Sequence, residues 1–336
     1  MLFDMVKMRF AVVLPGGRYS PENLRLAVQL GCTDVIGHGP SPGPESEVWE
    51  YAELVKMKRS CEEFGLRLEV FEASPRSDKI MLGLPDRDEQ LENYCKSLDN
   101  LGAAGIKVIQ AAHGAPVGGW SIGSVEAPTR GGATSRVFNW DHIKDAPPSE
   151  YGVYTEDQVW ENFTYFLKGV VPTAEDAGVK LAFHPSDPPM SPIRGYPSIL
   201  RSIEAYDRMM EICPSENVGL TFCQGCFAEM GVDVPSAIRH FGGKKRIFFA
   251  HFRNVKGSIP RFQEVFHDDP EGLADMFQAM KAYYEVGFEG PMRPDHAPMM
   301  EGDQRLGGHL GYYVLGKVFA LGYMKGLAES IEKTLC

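Results

Sequence analysis

Eight short β-rich runs punctuate the chain, at positions 8–14, 33–37, 66–73, 106–111, 179–183, 218–222, 247–252 and, more weakly, 290–292. Most are separated by a segment in which apolar residues recur at helical spacing: 21–30, 47–64, 87–101, 157–177, 197–212 and 270–286. Runs such as Ile247-Phe248-Phe249-Ala250 are apolar throughout rather than alternating, which is what a parallel strand buried on both faces requires. Strand followed by helix, eight times over, predicts a closed (β/α)8 TIM barrel, an α/β fold formed as a single domain over 1–336. A doubly wound open sheet is the competing topology, but no glycine fingerprint follows the first run.

Composition fits that reading and removes other classes. Hydrophobic residues make up 43% and charged residues 24% of the 336, enough apolar material for a large core and too much for a disordered chain. Lys and Arg number 34 against 45 Asp and Glu, and a formal net charge of −11 with no basic stripe excludes a nucleic-acid partner. No apolar run approaches the roughly 18 to 20 residues that span a bilayer. The N-terminal Met1-Leu2-Phe3-Asp4 has no signal-like apolar stretch, so a cytoplasmic protein without membrane contact is expected. Seven scattered cysteines do not form a disulfide framework. A homo-oligomer, dimeric by default, is expected.

One segment breaks the cadence. From 112 to 148 the chain is rich in Gly, Ser, Thr and Pro, with Gly118-Gly119-Trp120 and Arg130-Gly131-Gly132. A long loop with no secondary structure of its own, inserted after the fourth strand of a barrel, rises over the C-terminal mouth where barrel enzymes keep their sites. It reads as a lid or pocket wall.

At or just past the ends of the last four runs stand His184, Cys223, His251 and Asp295. A single His or Cys at a strand end is ordinarily a packed core residue. Four ligand-type side chains at matched positions, each about one βα unit from the next, would converge on one rim and suit a single metal ion. A thiolate, two imidazoles and a carboxylate fit Mn2+, Fe2+, Co2+ or Zn2+, and spacing does not choose among them. Cys223-Gln224-Gly225-Cys226 spells a CxxC pair, yet no second pair completes a zinc ribbon, so Cys226 reads as incidental.

Other polar groups fall near the same mouth. Asp187, in His184-Pro185-Ser186-Asp187-Pro188-Pro189, could bond a ligand imidazole or a substrate hydroxyl, or simply form a turn. Arg253 could clamp an acidic substrate or serve a structural ion pair. His267 reads as a substrate contact or a solvated histidine. His296, His309 and Tyr312 are proton-transfer candidates, with surface exposure as the alternative.

At these residues the sequence resembles the mannonate dehydratase family, metal-dependent sugar-acid dehydratases on a xylose-isomerase-like barrel. The stretch from Glu161-Asn162-Phe163 through Pro172 into the His184 to Pro189 loop is similar to the family's HPDDPP region and the helix before it. Thr221-Phe222-Cys223-Gln224-Gly225 resembles its T-x-C-T-G element, Ala250-His251-Phe252-Arg253 its H-L-R element, and Phe262-Gln263-Glu264 to His267 its F-x-E-x-x-H stretch. Met292-Arg293-Pro294-Asp295-His296 reproduces M-R-P-D-H, and Gly311-Tyr312 matches a Gly-Tyr pair. After the fourth strand the family's aromatic-Asn-Phe-Met-Pro and Asp-Trp-Thr-Arg elements give way to a run from Ala112 to Ile122 that includes His113 and keeps only Trp120.

The resemblance implies one Mn2+ or Fe2+ at His184, Cys223, His251 and Asp295 and a small sugar-acid substrate. It implies dehydration of D-mannonate, or a close aldonate, to 2-keto-3-deoxy-D-gluconate, a hydro-lyase step in hexuronate catabolism. Tyr312, His296 and Arg293 would form the catalytic group, and Asp187, Arg253, His267, Trp120 and His113 the substrate wall. A metal-dependent sugar isomerase or epimerase on the same barrel is the second reading, and a sugar-acid-binding protein without turnover the third.

Overall fold

The computed structural model describes residues 7–40, 47–111, 123–306 and 314–335. The expectations placed on His113, Trp120, His309 and Tyr312 therefore lie outside the described residues.

Eight parallel strands close into a barrel: β1 (Arg9–Val13), β2 (Asp34–Gly37), β3 (Arg67–Phe71), β4 (Val108–Ala111), β7 (Lys180–Phe183), β8 (Val218–Cys223), β9 (Ile247–Phe252) and β12 (Pro291–Pro294). The ring closes where β1 pairs with β12, Arg9 opposite Pro291 and Phe10 opposite Met292. Four more strands, β5 (Ser124–Pro128), β6 (Thr134–Asn139), β10 (Val255–Lys256) and β11 (Arg261–Glu264), form a separate antiparallel sheet. Outside the barrel run α1 (Pro21–Gln29), α2 (Tyr51–Glu62), α3 (Asp78–Leu82), α4 (Arg87–Ala103), α5 (Glu156–Asp176), α6 (Ile203–Ile212), α7 (Gln224–Glu229), α8 (Val234–Gly243), α9 (Met276–Glu285), α10 (Asp303–Leu306) and α11 (Val314–Leu335).

The barrel is a packed core rather than a pore. Ala11, Val13, Ile36, Val70, Val108, Ala182, Phe248 and Phe249 fill its interior, while a second and larger apolar layer seals the strands against the helices. Every residue of β8 and β9 is buried, as strands this rich in apolar residues on both faces require. Helix starts are set by local chemistry. Thr155 and Gln158 form a reciprocal capping box on α5, and Ser202 and Asp275 cap α6 and α9. The last two caps explain why those helices begin six residues later than apolar spacing alone suggests, since the caps mark where helical backbone starts.

The segment after β4 departs from expectation. It is not structureless through 148: β5 and β6 form a hairpin turned by Gly131 and Gly132, whose φ angles of 66° and 83° lie in the left-handed region open to glycine. The Gly-rich turn that reads as loop in the sequence is the tip of this hairpin. β6 pairs in turn with β11, which belongs to the connection after β9, with Phe138 opposite Phe262 and their rings stacked. Thr134 also bridges to Met299 beyond β12.

Candidate metal centre

The C-terminal ends of β8, β9 and β12 bring three of the four predicted ligands together. Cys223 Sγ lies 3.6 Å from Asp295 Oδ2, and His251 Nδ1 lies 3.5 Å from the same oxygen. Neighbouring register does this directly, because Cys223 pairs with His251 across β8 and β9 and His251 with Arg293 across β9 and β12. His184, one residue past β7, places its ring 5.1 Å from that of His251, and its own ligand atom clusters with the sulfurs of Cys223 and Cys226. Its Nδ1–H donates to the Pro185 carbonyl at 2.7 Å, which leaves Nε2 as the nitrogen able to accept a cation.

Buried His251 gives the test of fit. Neither of its ring nitrogens has a hydrogen-bond partner among the described residues, an arrangement that costs free energy unless something else satisfies them. Nδ1 faces the thiol and carboxylate, while Nε2 lies 3.5 Å from Glu72 Oε2. A cation on the first and a carboxylate on the second is the pattern in which outer carboxylates orient ligand histidines. The donor set of thiol, imidazole and carboxylate fits a divalent transition ion.

Electrostatics favour the anionic form of two donors, Asp295 and Cys223. Burial and Arg293 oppose a charge on His251, but Asp295 and Glu72 outweigh them and raise its pKa to about 10, so a cation would displace its proton. Burial opposes ionisation of Asp295, but His296, Arg293 and His251 outweigh it and keep the carboxyl well below its usual range. Burial likewise opposes a Cys223 thiolate, yet the neighbouring Cys226, His184 and His251 outweigh it and hold the thiol well below its usual value. Cys226 is therefore not incidental. It is fully buried beside Cys223 because the two occupy the start of a single helical turn, and burial first, then Cys223, keeps its own thiol protonated.

Glu72 escapes the sequence reading, although it follows β3 just as His184 follows β7. It receives Arg293 through both Nε, at 2.6 Å, and Nη2, and Arg293 Nη2 also lies 2.9 Å from Asp295 Oδ1. Arg293 is thus buried as a brace between two carboxylates. Glu72→Gln is expected to weaken metal binding about 10- to 100-fold, read by competition with a chelator of known affinity. Unchanged affinity would remove Glu72 from the site.

Arg253, expected to meet an acidic substrate, is instead fully buried among carboxylates of the protein itself. Its Nη1 donates to Asp187 Oδ2 at 2.9 Å, and Nη2 lies 3.0 Å from both Glu229 Oε1 and Glu264 Oε1. Asp187 is accordingly committed to this cluster. Gly225 makes room for the guanidinium stem, since a Cβ there would come within 2.6 Å of Arg253 Cδ. His267 is neither solvated nor charged: it is 1% exposed, its Nε2–H donates to the Phe252 carbonyl at 2.6 Å, and burial lowers its pKa to about 4. His296 is buried too, with Nδ1 hydrogen bonded to Glu264 and Nε2 3.9 Å from Asp295 Oδ1. Lys317, on α11, is a buried amine that no sequence motif marks. Burial, then the charge of Arg293, draws it down to about 7.

Eight parallel strands closed on themselves, with thiol, imidazole and carboxylate groups converging at their C-terminal ends, define a metal-dependent barrel enzyme. The fold is shared with the solved structure of an L-ribulose 3-epimerase, at a TM-score of 0.60 and 15% identity over 98% of this chain and 97% of that one. Within this class, the D-mannonate dehydratase (UxuA) family matches residues 17–152 and 149–335, and the chain belongs to that family of hydro-lyases. A Thermotoga maritima mannonate dehydratase is 34% identical over 86% of this chain and 88% of its own length. Mannonate dehydratase 2 of Halalkalibacterium halodurans is 33% identical over 85% and 88%. The crystal structure of mannonate dehydratase from Streptococcus suis serotype 2 superposes with a TM-score of 0.88 at 31% identity, covering 98% of this chain and 96% of that one. No helix of the described residues is long and apolar enough to cross a membrane.

Proposed function

We propose that this chain dehydrates D-mannonate, or a close aldonate, to the 2-keto-3-deoxy acid, with one Mn2+ or Fe2+ held by His184, Cys223, His251 and Asp295. The observation that carries the reading is the convergence of Cys223, His251 and Asp295 within 4.8 Å of one another at three strand ends, in a member of this family. The hydrogen α to a carboxylate is weakly acidic, and a divalent cation supplies stabilisation of the negative charge that builds as it leaves.

The remaining work falls to side chains. His296 and Tyr312 divide the two proton transfers, one taking the C2 proton and the other protonating the departing C3 hydroxyl. Support for His296 is the approach of its Nε2 to Asp295; support for Tyr312 is the family's Gly-Tyr pair alone. Arg293, tied to Glu72 and Asp295, acts by keeping the ligand carboxylate ionised and aimed. Arg253, Asp187 and His267 form the wall behind the site, and Trp120 and His113 are assigned to the substrate face on sequence grounds. The insertion after β4 closes the mouth. The enzyme works on its sugar acid in the cytoplasm as a homo-oligomer, dimeric in its simplest form.

The test is an anaerobic assay of the purified protein with Mn2+ and D-mannonate, following 2-keto-3-deoxy acid against a chelator-treated control. Metal-dependent product is expected, and Tyr312→Phe should keep the metal while losing turnover. A product of unchanged mass from metal-loaded protein would instead establish an isomerase or epimerase.

A further inference from the structure

His296 is useful for proton transfer only if its Nε2 is the nitrogen presented to the substrate, and an imidazole has two tautomers and two ring faces between which to choose. The choice is made by a carboxylate from a different part of the chain. Glu264, the last residue of β11, is 1% exposed and accepts a close hydrogen bond from His296 Nδ1–H. The same oxygen, Oε1, lies 3.0 Å from Arg253 Nη2, so the guanidinium fixes the position of the acceptor. Arg253 is in turn anchored by Asp187 and Glu229. With Nδ1 committed to Glu264, Nε2 is the nitrogen directed toward Asp295 and the cluster of ligand atoms. Burial opposes a charge on Glu264, but His296 and Arg253 outweigh it and hold the carboxyl below its usual value, so it is an acceptor and not a competing donor.

We propose that Glu264 is a positioning residue for the dehydration, which fixes His296 with Nδ1 protonated and Nε2 facing the substrate, and that Arg253 sets Glu264 in place. The proposal rests on His296 being one of the two proton-transfer groups. In the free energy of catalysis, Glu264 then acts only through His296, whereas a residue that merely holds up the wall acts whether or not His296 is present.

A double-mutant cycle on the Mn2+-loaded enzyme with D-mannonate separates these roles. Glu264→Gln is expected to lower kcat about a hundredfold, because the amide can donate to Nδ1 and impose the wrong tautomer, with KM and metal content within about twofold of the parent. In a His296→Gln background the same change is expected to cost less than about threefold. An equal loss in both backgrounds would overturn the proposal, as would a Glu264→Gln enzyme with parental kcat beside a crippled His296→Gln. Parental turnover in His296→Gln would instead remove the role given to His296, and this one with it. Glu264→Asp keeps a carboxylate beside Arg253 but shortens its reach. It is judged in the same two backgrounds should the amide variant fail to fold.

Discussion

Cys223→Ala and Asp295→Ala are each expected to lose bound metal and, together with it, at least about a thousandfold in turnover. The two effects should be inseparable because both side chains meet at one point: Cys223 Sγ and His251 Nδ1 lie 3.6 Å and 3.5 Å from the same Asp295 oxygen. Alanine at 223 removes the thiolate, and alanine at 295 removes the carboxylate that Arg293 holds ionised. Metal analysis after dialysis reads the first effect, and turnover in excess Mn2+ the second. A Cys223→Ala protein that retains one metal per chain would show that the thiol is not a ligand. Asp295→Asn should fall between, since it preserves shape and loses the charge that opposes the cation.

Arg253→Met, which also removes the Nη1 contact to Cys223 Sγ at 4.0 Å, is expected to cost about 3–5 kcal/mol of stability. The side chain is fully buried and faces Asp187, Glu229 and Glu264 at 2.9 to 3.0 Å, so its loss removes the guanidinium that three interior carboxyl groups share. In the parent, burial and then Asp187 already push Glu229 well above the usual carboxylate range, so this member of the cluster tends to hold a proton. In the variant the upward push on Glu229 would grow, because Arg253 is the cation that opposes it. Carboxyls whose pKa is higher folded than unfolded bind more protons in the folded state, and stability then falls as pH rises. The deficit should therefore be larger at about pH 8 than at about pH 5, read from denaturation midpoints. A deficit independent of pH would mean that lost packing, and not stranded charge, is what the variant suffers.

The convergence of Cys223, His251 and Asp295, with His184 beside them, was legible because a barrel converts a one-dimensional interval of one βα unit into a shared rim, and all four sit at that interval. Glu72 obeys the same rule on β3, yet it is hidden by its neighbours, since Glu69 and Glu72 both stand in one β-rich run, 66–73, and nothing in the sequence sets one apart from the other. The fate of Arg253 was not legible. Its three carboxylates come from positions 187, 229 and 264, in three different connections, and nothing in the sequence says that they converge. The β5–β6 hairpin was obscured by its own turn, because glycines that permit a tight reversal look, in sequence, like glycines in a loop.

The antiparallel sheet outside the barrel has a consequence for how this enzyme can change. β6 is stitched to β11, and Thr134 exchanges backbone hydrogen bonds with Met299 at 3.1 Å and 2.7 Å, so connections after β4, β9 and β12 are sewn into one border. Glu264 stands at the end of β11, and Asp295 and His296 lie just before Met299. A barrel usually explores new substrates by lengthening or trading one loop at a time. Here a graft or deletion in the β4 insertion would tug at the strand that carries Glu264 and at the chain that carries Asp295. Relatives of this protein should therefore diverge by swapping side chains on a border of fixed length, or by exchanging all three connections as a single cassette.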